Sequence, residues 1–278
     1  MMKPTDTHPV SDASGTAVIT GASSGIGEVY ARRLAERGYD LLLVARRGDR
    51  LSALAEELRS RYGHETRTLV ADLGVAADLD RVAAILAADA SITLLVNNAG
   101  TSLMVAAEQT PAPAVAALLN LNVTALTRLS LAVLPGFRAR NRGTLINIGS
   151  VLGFSSIVGS AVYSGTKSFV LGFTQALQLE FADTNVRIQL VAPATTATEI
   201  WDISGVPLST LDPDTIMQAG QCVDAALAGL DMGEAITLPS LEEAGLLADY
   251  TQARLKLFSK VNRGRPATRY HVTMTAAQ

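Results

Sequence analysis

Thr16-Ala17-Val18-Ile19-Thr20 runs directly into Gly21-Ala22-Ser23-Ser24-Gly25-Ile26-Gly27 and on into Glu28-Val29-Tyr30-Ala31-Arg32-Arg33-Leu34. A β-branched apolar run, a turn dense in glycine and a stretch with apolar residues three and four apart read as strand, turn and helix. Glycine takes positive φ and lets a ligand approach the backbone, and the free N–H groups at a helix start attract phosphate. Any tight strand-to-helix turn can use glycine, so the turn alone is weak evidence. Its place on the first strand of a βαβ pattern makes it a dinucleotide-type signature, spaced T-G-x-x-x-G-x-G. The same residues contain G-A-S-S-G, the form of a serine-hydrolase nucleophile elbow with Ser23 as nucleophile. That chemistry needs an acid and then a histidine downstream, and the elbow normally follows a middle strand. Only His64 and His271 follow, so the hydrolase reading ranks last.

Outward from this turn the pattern repeats. Further strand candidates are DLLLVA (40–45), TRTLVA (66–71), ITLLVN (92–97), GTLINI (143–148) and VRIQLVA (186–192), with a possible last strand near Glu234–Leu238. Continuous apolar runs rather than strict alternation mark parallel strands covered on both faces. Amphipathic stretches such as EVYARRLAERG and DRLSALAEELRSRYG lie between them. Strand and helix in alternation imply right-handed crossovers in one parallel sheet. The expectation is one α/β domain over 15–278, preceded by a mobile polar arm at 1–14. Residues 194–220 break the rhythm and read either as a lid over a site or as a surface loop that tucks in its apolar side chains.

Composition removes whole classes. The chain has 278 residues, 48% hydrophobic and 18% charged, with 23 basic and 26 acidic side chains, so it is neither disordered nor basic enough to suggest nucleic acid. The single Cys222 excludes an internal disulfide and any multi-cysteine zinc site, and His8, His64 and His271 show no metal-ligand spacing, so no metal is expected. The polar start lacks the apolar core of a signal peptide, and no uninterrupted apolar run approaches the ~18 residues of a membrane span. A soluble, cytoplasmic protein is expected, without a membrane partner.

The remaining chemistry lies at strand ends, where open α/β sheets bind ligands. The second strand ends in Ala45-Arg46-Arg47, where an acid would favour a ribose 2′-hydroxyl and an arginine a 2′-phosphate. Both arginines could equally be a solvated helix entry. With the glycine turn beside them they favour NADP(H) over NAD(H), with Arg46 the preferred residue. Asp72-Leu73 and Asn97-Asn98-Ala99-Gly100 end the third and fourth strands, and Asn98 can either tie strands together or touch a ligand. Tyr163 and Lys167 stand four apart, on one face of a helix. An ammonium beside a phenol would lower the phenol's pKa toward that of a general acid and base. Ser150, at the end of INIGS, offers a hydroxyl to a substrate oxygen or a simple helix cap.

Taken together, T-G-A-S-S-G-I-G, N-N-A-G, Asn122, Ser150 and Y-S-G-T-K resemble the short-chain dehydrogenase/reductase family, from about residue 15 to 240. The resemblance implies a single Rossmann-type doubly wound parallel sheet of about seven strands with helices on both faces. It also implies hydride transfer between NADP(H) and a carbonyl or secondary alcohol. Tyr163 would then be the general acid/base, Lys167 would lower its pKa and bond the nicotinamide ribose, and Ser150 would polarise the substrate oxygen. Asn122 matches the asparagine that kinks its helix and holds a water in the proton relay. Gly21, Ser23, Ser24, Gly25, Ile26, Gly27, Arg46, Asp72, Leu73, Asn98, Ala99, Gly100 and Thr198 would contact cofactor, as would Tyr163 and Lys167. One departure is Ala194, which stands where the family has a glycine and cannot take positive φ cheaply. A non-catalytic NADP(H) sensor is the alternative, although a pure binder needs no general acid. The wide apolar arc of residues 163–181 suggests a homodimer or homotetramer, and Ile200, Trp201, Ile203 and Leu208 suggest an apolar substrate.

Overall fold

A computed structural model describes residues 15–272; the expected N-terminal arm lies outside them. Contacts gather the chain into one unit ending at Ser240 and a second beginning at Leu241. The sheet and the cleft both lie within the first. It contains seven parallel strands in the order β3-β2-β1-β4-β5-β6-β9. These are β1 (Thr16–Thr20), β2 (Asp40–Ala45), β3 (Thr66–Val70), β4 (Ile92–Asn97), β5 (Gly143–Ile148), β6 (Val186–Val191) and β9 (Ile236–Thr237).

Side chains alternate across these strands, and both faces are apolar. In β2, Leu41 and Leu43 pack into one core while Leu42 and Val44 pack into the other. Ala17 and Ile19 of β1 join the first core, and Val18 joins the second. β3 departs from the expectation of double coverage. It pairs only with β2, and as an edge strand it leaves Arg67, Thr68 and Val70 exposed.

Helix α1 (Gly25–Glu36) buries Gly27, Tyr30, Ala31, Leu34 and Ala35, the three-and-four spacing of an amphipathic helix. Helix α2 (Gly48–Tyr62) stops at Gly63, whose φ of 75° closes it in the left-handed conformation. Helix α3 (Ala76–Ala88) packs on the other side of the sheet with α5 (Leu126–Arg140). A π-helical turn at Asn120–Ala125 joins α4 (Ala112–Leu119) to α5. By length and mean hydropathy the continuous helix Ala112–Arg140 could cross a membrane, a property it shares with soluble core helices. Here it buries Leu126, Leu129, Val133 and Phe137 against the sheet.

Helix α6 (Ala161–Glu180) buries Val170, Leu171 and Leu177 but leaves Phe169 and Leu179 exposed, the latter at 81%. Segment 194–220 is more ordered than its composition suggests. It holds a two-stranded parallel ribbon of β7 (Thr196–Ala197) and β8 (Met217–Gln218), with α7 (Ile200–Ser204) between them. Helix α8 (Ala219–Asp231) then returns to the core on Cys222, Val223, Ala226 and Leu227. In the second unit, α9 (Gly245–Val261) is a 17-residue helix.

The strand order reverses between β1 and β4. Their neighbouring crossovers leave on opposite faces there, which opens a crevice at the carboxyl ends of the strands.

Candidate active site

The crevice is a cleft of about 450 Å³. Gly21, Ser23, Ser24, Gly25 and Ile26 line one end of it with Arg46, Asp72, Leu73, Asn98, Ala99 and Gly100, and Ser150, Tyr163, Lys167 and Thr198 also line it. Gly27 and Asn122 are the two expected residues that lie behind its wall.

The glycine turn is shaped by backbone requirements. Gly21 and Gly25 have φ of 66° and 56°, a region that side chains rarely adopt. A Cβ on Gly27 would lie 2.3 Å from the Gly21 carbonyl oxygen and 2.5 Å from Asn98 Nδ2, so α1 can approach the turn this closely only as glycine. Asn98 does tie strands together: its Nδ2 donates to the Thr20 carbonyl at 2.9 Å, and its backbone N–H donates to Thr20 Oγ1 at 3.0 Å.

At the end of β2 the two arginines behave differently. Arg46 is exposed, with only a long 3.9 Å approach to Asp72. Arg47 donates to Ser23 and Ser24 in the turn, at 3.0 and 2.7 Å, and to Glu199 at 2.6 Å. Glu199 also accepts from Arg50 at 2.6 Å, and these two guanidinium groups, Arg50 first, hold its carboxyl down at about 2. Arg47 and Glu199 were not among the expected contacts. The Arg-Arg pair hinted at the first, but Glu199 meets its partners across 152 and 149 residues, a pairing that no local pattern encodes.

At the other end, Tyr163 and Lys167 share a buried face of α6. Lys167 Nζ donates to the Ile148 carbonyl at 3.0 Å and lies 5.7 Å from the centre of the Tyr163 ring. Burial pushes the phenol up to about 12, a hydrogen bond with Ser150 opposing the shift, while burial brings Lys167 down to about 8. This differs from the expectation that Lys167 lowers Tyr163. The ammonium sits over the ring and bonds a carbonyl, and desolvation of the phenolate dominates. Ser150 caps a short turn, its Oγ accepting from Leu152 N–H at 3.1 Å.

Asn122 occupies the π-helical turn. Its Oδ1 accepts from Thr101 N–H, and its Nδ2 donates to the Thr101 carbonyl and to Thr166 Oγ1. Thr166 in turn donates to the Tyr163 carbonyl at 2.7 Å. Ala194 needs no glycine, for it is not among the described residues with positive φ. Ile200, Trp201 and Ile203 line the cleft and Leu208 does not, while Trp201 Nε1 donates to the Thr196 carbonyl. His64 is not a lining residue, and no histidine stands near Ser23 among those that line the cleft, which leaves the hydrolase reading without a base.

The short chain dehydrogenase family model matches residues 15–204, more than half of the chain. The chain belongs to the short-chain dehydrogenase/reductase family. Among solved members, a short-chain dehydrogenase from Sphingobium yanoikuyae in complex with NADPH is 44% identical. It superposes with a TM-score of 0.89 over 92% of this chain and 100% of its own. A bulky-bulky ketone specific alcohol dehydrogenase from Comamonas testosteroni is 39% identical, with a TM-score of 0.84 over 92% and 98% of the two chains. A very-long-chain 3-oxoacyl-CoA reductase from Anas platyrhynchos is 34% identical over 208 residues, 73% of this chain. The match spans 66% of that reductase, just under two thirds of its length.

Proposed function

We propose that this dehydrogenase is an NADP(H)-dependent oxidoreductase that interconverts an apolar ketone or aldehyde with its alcohol. The observation that carries the reading is the half-buried Ser150 with the buried Tyr163 and Lys167, set in the same cleft as a turn where Gly21, Gly25 and Gly27 crowd out side chains. That turn fits a diphosphate, because glycine brings N–H groups to its surface and α1 begins there. The residues that would hold the dinucleotide are the turn residues 21–27, Arg46 and Arg47 at the 2′-phosphate, Asp72 and Leu73 at the adenine, Asn98 to Gly100 along the ribose, and Thr198 at the carboxamide. When bound, the cofactor supplies or accepts the hydride.

The chain's own residues handle the proton and the charge. Tyr163 Oη donates its proton to the substrate oxygen during reduction and takes it back in oxidation. Ser150 Oγ, fixed by the Leu152 N–H, donates to the same oxygen and stabilises the charge that develops on it. Lys167 holds positive charge over the ring and favours the phenolate during the transfer, an effect that strengthens as burial lowers the local dielectric. Asn122 positions α6 through Thr166. A phenol hydrogen-bonded to the Ser150 hydroxyl supplies a general acid, which a sensor that only binds nucleotide does not need, and this weighs against that alternative. Ile200, Trp201 and Ile203 supply an apolar wall, as an uncharged substrate requires. The exposed Phe169 and Leu179 on α6 support a homodimer or homotetramer, which size-exclusion chromatography would test.

Fluorescence titration with NADPH, together with turnover of a ketone panel, tests the central reading. Tyr163→Phe should lower turnover by more than about a thousandfold, while NADPH affinity stays within about twofold. Undiminished turnover would refute the role given to Tyr163.

A further inference from the structure

Glu199 stands just ahead of α7 in the lid segment, yet both of its carboxylate oxygens are held by arginines from the other side of the cleft. Arg47 donates to Oε2 and Arg50 to Oε1, each at 2.6 Å. Arg47 uses Nε and a second nitrogen on the hydroxyls of Ser23 and Ser24. One guanidinium therefore joins the phosphate-binding turn to the lid. Next to it, Thr198 sits so close to Gly25 that a Cβ there would be 3.0 Å from the threonine methyl. The charged side chains lining this end of the cleft are Arg46, Arg47, Asp72 and Glu199, whose formal charges cancel. An arriving phosphate monoester carries close to two negative charges and seeks the same Arg47 Nη1 that Glu199 occupies.

We propose that Glu199 is a built-in stand-in for the cofactor's 2′-phosphate: the phosphate displaces it from Arg47, so Glu199 sets the preference between NADPH and NADH and ties 2′-phosphate binding to a loosening of the lid, which keeps only its Arg50 bond. The proposal rests on the NADP(H) reading above. It follows from competition, since Ser23 and Ser24 hold Nε and Nη2 of Arg47 and Glu199 takes Nη1, the one nitrogen left to a phosphate, where two anions side by side repel. Its consequence is asymmetric. A lid tether alone would affect both cofactors equally, whereas a competing charge affects only the one that carries the extra phosphate.

The test measures dissociation constants for NADPH and NADH by fluorescence in the wild type and in Glu199→Gln, which keeps the shape and removes the charge. The NADPH-to-NADH affinity ratio should rise about threefold to tenfold, the effect of one charge removed at a partly exposed site. An unchanged or falling ratio overturns the proposal. Hydrogen exchange in the wild type provides an arm that needs no variant: residues 198–204 should exchange faster with NADPH bound than with NADH bound. Equal exchange overturns the displacement. Failure of the wild type to bind either nucleotide overturns the NADP(H) reading and this inference with it, whereas binding with an unchanged ratio overturns only the inference.

Discussion

Replacing Lys167 by methionine is expected to stabilise the cofactor-free protein at neutral pH while abolishing its chemistry. Lys167 titrates near 8 in the fold instead of at its ordinary 10.5, because burial penalises the ammonium. Below about pH 8 the folded protein must hold that charge inside, and the penalty is fully present, about 3 kcal/mol against folding. As pH rises from 8 to 10.5 the folded lysine is already neutral while the unfolded one still binds a proton, and the penalty fades. Above 10.5 it is gone. Methionine matches the length of the stem but loses the bond to the Ile148 carbonyl, at a cost of about 1 kcal/mol. The net gain is then about 2 kcal/mol at pH 7, shrinking to less than about 1 kcal/mol at pH 9.5. Urea unfolding at the two pH values, followed by far-UV circular dichroism, measures the difference directly. A destabilised Lys167→Met at pH 7, or a difference that does not shrink by pH 9.5, would refute the claim that burial sets the lysine's behaviour.

Three further outcomes follow from the geometry. Gly27→Ala should destabilise the protein by about 1–3 kcal/mol and abolish NADPH binding, since its Cβ would lie 2.3 Å from the Gly21 carbonyl oxygen; thermal melts and nucleotide titration measure both. Burial pushes the Cys222 thiol up to about 11, so iodoacetamide at pH 8 should label the native protein no faster than it unfolds, and prompt stoichiometric labelling would contradict the buried site. Arg33→Ala removes an exposed ion pair with Asp224 and should change stability by less than about 1 kcal/mol in chemical denaturation.

How much of this was legible in the sequence follows from the range of the interactions involved. The glycine turn could be read because its constraint is local: positive φ at Gly21 and Gly25 and a close approach at Gly27 leave a pattern within seven residues. Tyr163 and Lys167 could be placed on one face because helix geometry fixes residues four apart. The strand ends were off by a residue at β3 and β6, where Ala71 and Ala192 continue the apolar run beyond the last paired position. The order within segment 194–220 could not be read, because the β7–β8 ribbon pairs residues about 20 positions apart through only two register pairs. The behaviour of Tyr163 is not legible in the sequence for a different reason. Spacing puts a lysine near a phenol, but only the fold shows that the ammonium bonds Ile148 and that burial outweighs it.

The catalytic end holds groups that burial disfavours, so their positions must be imposed by neighbours with better bonds. Asn122 is the means. A regular helix from Ala112 to Arg140 would aim its polar side chains by the ordinary period. The π-helical turn inserts an extra residue at this point, and Asn122 bonds the segment that follows β4. There its amide is bonded at both ends, to the Thr101 backbone and to Thr166, and Thr166 bonds the carbonyl of Tyr163. The start of α6 is thereby anchored to the segment that follows β4, beside Asn98 and Gly100, through bonds that do not depend on a ligand. Ser150 is fixed in a similar way, its oxygen accepting from a backbone N–H so that its own proton remains available to the Tyr163 oxygen or to a substrate oxygen. Because neither anchor needs a ligand, Ser150 and Tyr163 are set in advance, and under the proposed function little reorganisation would remain when charge moves onto a carbonyl oxygen.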